Sequence, residues 1–195
     1  MKASYIIFSL FLALSAAMNA QTSVIVNPKG KWFLGIEVGK NEIISTTNKS
    51  SQIGILSEYY FHKNWSFTGR IKYFKTGVAN YELNFSGAVI SLPLNLKWEF
   101  KVIENFRTNF NLGIAFNKEI RSNYQYEHNR DAKFSPVYKT FNSGIGFNYF
   151  ITKKIGIYFN LEIYIWGNHR SIHKAWMFPN SPENKHHNFG IKFNL

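Results

Sequence analysis

Between Val89 and Phe116 the side chains alternate in polarity along two consecutive segments, VISLPLNLKWEF and NFRTNFNLGIAF. Ile90, Leu92, Leu94, Leu96, Trp98 and Phe100 share one parity, which Phe106, Phe110, Leu112, Ile114 and Phe116 continue. The other parity carries Ser91, Pro93, Asn95, Lys97 and Glu99, then Arg107, Asn109, Asn111, Gly113 and Ala115. Successive side chains leave opposite faces of a strand, so a period of two belongs to sheet. Both segments are therefore strands with one apolar and one polar face, joined tightly at Lys101 to Glu104.

The same alternation recurs from end to end. Trp32–Lys40 sets Trp32, Leu34, Ile36 and Val38 against Gly35, Glu37 and Gly39. Gln52–His62 sets Ile53, Ile55, Tyr59 and Phe61 against Gly54, Glu58 and Tyr60, with Leu56 and Ser57 out of pattern. Trp65–Lys75 opposes Trp65, Phe67, Ile71 and Tyr73 to Ser66, Thr68, Arg70 and Lys72. Three further strands follow at Val137–Ile151, Lys154–Trp166 and His186–Leu195. Connections at Lys63–Asn64, Lys101–Glu104 and Thr152–Lys153 are tight, whereas Asn41–Ser51, Thr76–Asn84 and Gly167–Lys185 read as long polar loops. Asn117–Ser135 is either a loop or a continuation of strands beyond the sheet. Eight strands, most near or above the roughly 9–11 residues that cross a bilayer at a tilt, imply an all-β, eight-stranded antiparallel up-and-down barrel with both ends on the short-turn side.

A soluble barrel with its apolar face inward would show the same alternation. Volume separates the two. Eight strands enclose a space that side chains just fill, and the apolar parity holds far more Trp, Phe, Tyr, Leu and Ile than that space accepts. The polar parity, rich in Gly, Ser, Asn and Thr, suits a narrow lumen, so the apolar face is expected to meet hydrocarbon. Trp32, Phe61, Trp65, Trp98, Phe106 and Tyr149 all fall beside the tail or the short turns, as an aromatic belt at one membrane interface would.

The segment MKASYIIFSLFLALSAAMNA has the layout of a secretory signal: Lys2, a short apolar run, then small residues. The expected organisation is a signal peptide over 1–20 (cleaved after Ala20 or Ala17), a periplasmic tail over 21–31 and a barrel domain over 32–195, exported to the outer membrane of a Gram-negative bacterium. With no Cys, the chain has no disulfide or thiolate metal site. All but one of the 23 Lys and Arg residues lie after the signal, against 11 Asp and Glu, which implies an acidic neighbour. Because the basic residues are interleaved singly, without a basic run or recognition helix, lipid headgroups fit this better than nucleic acid.

The lumen parity carries both signs of charge: Glu37, Glu58, Glu99 and Glu162 with Arg70, Lys72, Lys97, Arg107 and Lys192. Unpaired charge in a narrow lumen is costly, so an ion-paired plug is expected, with Glu58 reaching Arg70 and Glu99 reaching Arg107 across their hairpins. His169, His173, His186 and His187 near the last loop have no sharpening carboxylate or thiolate pattern, and neither a metal nor another cofactor is expected. Ser122 with His128 and Ser171 with His173 are the suggestive nucleophile–base pairs for a lipid A-modifying enzyme, the competing reading. Arg121, Tyr124, Tyr126, Arg130, Trp176 and Phe178 give the long loops the aromatic and basic mix typical of interfaces.

ISLPLNLKWEF followed by NFRTNFNLGIAF, the hairpin EYYFHKNWSFTGRIKY and the ending FGIKFNL, together with the signal, resemble the PorT-like outer-membrane β-barrel proteins of Bacteroidota, relatives in architecture of OmpA- and OmpX-type barrels. Leu195 departs from the Phe usual at the end of such chains. The resemblance covers nearly all of the chain after the signal and implies a fold without catalytic residues. It leaves a structural or loop-binding role, or a place in a protein export assembly. The expected partners are outer-membrane lipid and lipopolysaccharide, the barrel-assembly machinery and a protein bound through the outer loops.

Overall fold

The computed structural model describes residues 27–43, 49–79, 83–126, 137–165 and 183–195. The expected signal peptide and most of the expected tail lie outside them. The strands are β1 (Trp32–Ile43), β2 (Lys49–His62), β3 (Trp65–Ala79), β4 (Leu83–Ile103), β5 (Phe106–Tyr126), β6 (Val137–Phe150), β7 (Ile155–Ile165) and β8 (Asn184–Asn194). Each pairs antiparallel with its neighbours in sequence, and β1 pairs with β8 from Phe33↔Asn194 to Ile43↔Asn184, which closes the barrel.

The apolar parity faces out. Ile90, Leu92, Leu94, Leu96, Trp98 and Phe100 are each at least 40% exposed, while Ser91, Asn95, Lys97 and Glu99 are buried. Ten residue steps separate Ile90 from Phe100; at about 3.3 Å per residue and a tilt near 40° they cover about 25 Å, the height of the apolar band of an outer-membrane barrel. No helix among the described residues is long and apolar enough to cross a membrane; strands make the crossing.

Several strands outrun the alternation that marks them. β3 reaches Ala79 and β4 begins at Leu83, so most of Thr76–Asn84 is sheet rather than loop. β5 continues to Tyr126, paired to β4 out to Leu83, and β1 and β2 extend into Asn41–Ser51. The cause is the medium: beyond the bilayer an outward residue need not be apolar, so the backbone ladder persists after the period of two has faded. Leu56, out of pattern in the sequence, points inward and is buried.

Two local features shape the barrel. Pro93 has no N–H to donate, and the β3–β4 ladder is interrupted where Leu92 and Pro93 face Arg70 and Ile71. At the short-turn end Gly30 takes a positive φ of 77°, which favours glycine, and its N–H donates to the Tyr60 carbonyl at 2.6 Å, pinning the incoming chain to β2.

Leu94 stands near mid-height of the band. Leu94→Arg is expected to lower stability in phospholipid vesicles by about 2–4 kcal/mol, measured by urea titration, whereas Lys101→Arg at the short-turn rim changes little. Equal effects at both positions would contradict the outward assignment.

Candidate functional site

Inward parity delivers all nine lumen charges to the barrel interior, none more than 5% exposed. They form two stacked clusters. In the one nearer the long connections, Glu37 and Glu162 face Arg70 and Lys72. Lys72 Nζ lies 2.6 Å from Glu162 and 3.4 Å from Glu37, Arg70 Nε lies 3.4 Å from Glu37, and an Arg70 guanidinium nitrogen contacts Glu162. Tyr158 donates to Glu37 at 3.0 Å, and Asn188 to Glu162 at 3.0 Å. Tyr158 reaches across the barrel wall because its partner in register is Gly190, where any Cβ would meet the phenol ring at 2.4 Å.

Nearer the short turns, Glu58 is held by Lys97 and by Lys192, the latter at 2.7 Å, and accepts from Ser66 at 2.7 Å. Lys97 also lies 2.8 Å from Glu99, which accepts from Tyr60 at 2.9 Å and from Asn148. The Lys192 ammonium sits over the Phe33, Tyr60 and Phe150 rings at 5.1–5.3 Å, within cation–π range. Those three rings meet edge-on and make an apolar floor to the lumen. The β4–β6 wall is uncharged at mid-height, where Asn142 donates to Asn95 at 2.7 Å and Asn95 to Asn111 at 3.3 Å.

Partner choice departs from the hairpin expectation at one of its two pairs. Glu58 stands opposite Thr68 and Arg70 opposite Leu56, so Glu58 and Arg70 belong to different clusters. Arg107 does reach Glu99 across its hairpin, at 3.9 Å, and its guanidinium also donates to the Lys63 carbonyl at 2.9 Å. Side chains crossing the lumen find partners on distant strands, as Arg70 on β3 does with Glu162 on β7. Sequence parity placed Tyr60 with the polar face but did not single it out as a bridge. Phe33 was missed, although it shares the parity of Gly35 and Glu37.

The aromatic residues of the expected belt all point outward at the short-turn end. Trp32 stacks on Tyr59 at 4.8 Å, Phe61 packs on Phe67 at 4.8 Å, Trp65 on Trp98 at 6.4 Å and Phe106 on Phe147 at 5.5 Å, while Tyr149 pairs in register with Phe106. Of the loop candidates, Arg121 is an exposed residue of β5 and Tyr124 and Tyr126 lie on its backbone ladder; Arg130, Trp176 and Phe178 fall outside the described residues. His186, at the start of the expected last strand, is buried in the lumen on β8, its Nδ1 2.8 Å from Gln52 Oε1 and its ring against Phe74 and Tyr164. His187 faces outward on the same strand, and His169 and His173 fall outside the described residues. So do His128 and Ser171 of the suggestive catalytic pairs.

Residues 6–194 match the family of the outer membrane protein β-barrel domain. The chain belongs to that family. No curated protein sequence matches this outer-membrane barrel. Among solved structures it is similar to the outer membrane protein OprG of Pseudomonas aeruginosa (TM-score 0.59, 9% identity, covering 88% of this chain and 99% of that one). It is also similar to Neisserial surface protein A (0.58, 11%, 86% and 98%) and to Ail, the attachment invasion locus protein of Yersinia pestis (0.53, 11%, 86% and 99%). At such identities the likeness is one of fold.

Lys192→Met would leave Glu58 with Lys97 alone and is expected to cost about 3–5 kcal/mol of unfolding free energy in vesicles, with the double variant Glu58→Gln/Lys192→Met recovering much of the loss. Additive losses would show that the two side chains do not interact.

Proposed function

We propose that this outer-membrane barrel is a closed, non-enzymatic anchor that acts through its outer loops. The observation that carries the reading is the filled lumen: two charge clusters, each pairing its own carboxylates with its own cations, above a floor of Phe33, Tyr60 and Phe150. A conducting path would require those ion pairs to part inside a narrow low-dielectric space, where breaking one is strongly unfavourable. What remains to meet a partner is the end opposite the short turns, to which Arg121, Tyr124 and Tyr126 on β5 belong; Arg130, Trp176 and Phe178, outside the described residues, are the further candidates that the sequence offers. The segment 1–20 would direct export in a Gram-negative cell, and barrel-assembly machinery would insert the chain. Membership of a PorT-like group, and with it a place in an export assembly, is the finer form of the same proposal.

In planar bilayers the purified protein is expected to give no steady single-channel conductance, and Phe33→Ala/Tyr60→Ala/Phe150→Ala to give leak currents. Large stable openings of the unaltered protein would overturn the closed-anchor reading. Photo-crosslinking from position 121 or 124 in intact cells is expected to capture a defined partner, whereas crosslinks from Trp65 at the opposite rim are not.

A further inference from the structure

Where β3, β4 and β5 leave the apolar band, one cross-strand row reads Lys75, Ala88, Arg121. Both cationic side chains are exposed, and Ala88 between them is only 5% exposed. Lys118 points outward in the adjacent row, across from Ile90, which in turn pairs with Tyr73. The floor is small, Ser86, Gly87 and Ala88, and with Tyr73, Lys75 and Arg121 it bounds an outward groove of about 370 Å³. The lower wall of this groove is the upper edge of the lipid-facing surface, so it spans the boundary between hydrocarbon and headgroups.

Arg121 reaches this face because of a β-bulge. On β5 the odd-numbered residues from Arg107 to Glu119 face the lumen, and unbroken alternation would turn Arg121 inward as well. The ladder instead runs from Val89↔Glu119 to Ala88↔Arg121, leaving Ile120 as the extra residue and re-aiming Arg121. Bulges commonly re-aim a side chain in this way. Here the consequence is a guanidinium moved from the interior to the membrane boundary, level with Lys75. No compensating carboxylate faces the groove among the described residues: Glu119 is inward, and Glu42, on β1, is bound by Lys49 at 2.9 Å.

We propose that this groove binds the phosphate of an outer-leaflet lipid, with Lys75 and Arg121 on the phosphate oxygens and an acyl chain descending past Tyr73 and Ile90. Arg presents a planar fork suited to phosphate and Lys a compact point charge. The apolar lower wall favours an amphiphile over free phosphate, and the narrow small-residue floor lets a headgroup approach the backbone. The site lies on the barrel wall, shares Arg121 with the proposed partner-binding end and needs no protein partner.

The test is native mass spectrometry of the full barrel released from micelles doped with diphosphoryl lipid A, with its dephosphorylated form or with inorganic phosphate. The unaltered protein is expected to retain the diphosphoryl lipid. Lys75→Gln/Arg121→Gln, verified as folded by circular dichroism, is expected to retain about tenfold less or lower, and Lys40→Gln/Lys185→Gln on another arc to match the unaltered protein. Equal retention of the dephosphorylated lipid, or retention indifferent to Lys75 and Arg121, would overturn the site. Displacement of the lipid by millimolar inorganic phosphate would overturn its assignment to a lipid.

Discussion

Hydrocarbon offers no partner to a backbone N–H or C=O, and this constraint governs the whole molecule. A sheet survives there only when its two edges are joined, which is what the eleven paired positions between β1 and β8 accomplish. Closure with eight strands then fixes how little room lies inside. Outward positions become apolar because they touch lipid tails, and inward positions become small or polar because they share a narrow space. The one proline within the crossing part of β4, Pro93, lies at the interruption of the β3–β4 ladder, while the pairing to β5 continues through it at Pro93↔Ala115.

The narrowness explains the electrostatics. The two clusters hold four carboxylates and five cations that strand parity drives into the interior, and none of these can be solvated freely there. They are tolerated because each carboxylate is met by at least one cation and, in addition, by a neutral donor: Tyr158 for Glu37, Ser66 for Glu58, Tyr60 for Glu99 and Asn188 for Glu162. Such buried pairs add little net stability against an apolar filling, yet leaving one half unpaired is strongly unfavourable. A polar lumen of this kind therefore resists opening more than it strengthens the fold.

How much could be read from the sequence followed from what is local. Parity is local, so the strands, the outward face and the inward set from Glu37 to Lys192 were open to inspection. Strand ends were not: through Thr76–Asn84 and the outer half of β5 the period of two fades once the lipid is behind them, and polarity then says nothing of pairing. Nor were the lumen partners, because they depend on the stagger of strands that are remote in sequence, which set Arg70 against Glu162 rather than Glu58. The bulge at Ile120 shows the same blindness in miniature. A single extra residue turns Arg121 outward, and no breaker such as glycine or proline marks the place.

The absence of cysteine from the chain allows the central claim to be measured site by site. Single cysteines carrying nitroxide labels at each position from Ile90 to Phe100, reconstituted in phospholipid bilayers, report their accessibility to oxygen, which partitions into hydrocarbon. The account requires high accessibility at Ile90, Leu92, Leu94, Leu96, Trp98 and Phe100, and low accessibility at the positions between them. The opposite phase, or no alternation at all, would mean that the apolar face does not look into lipid.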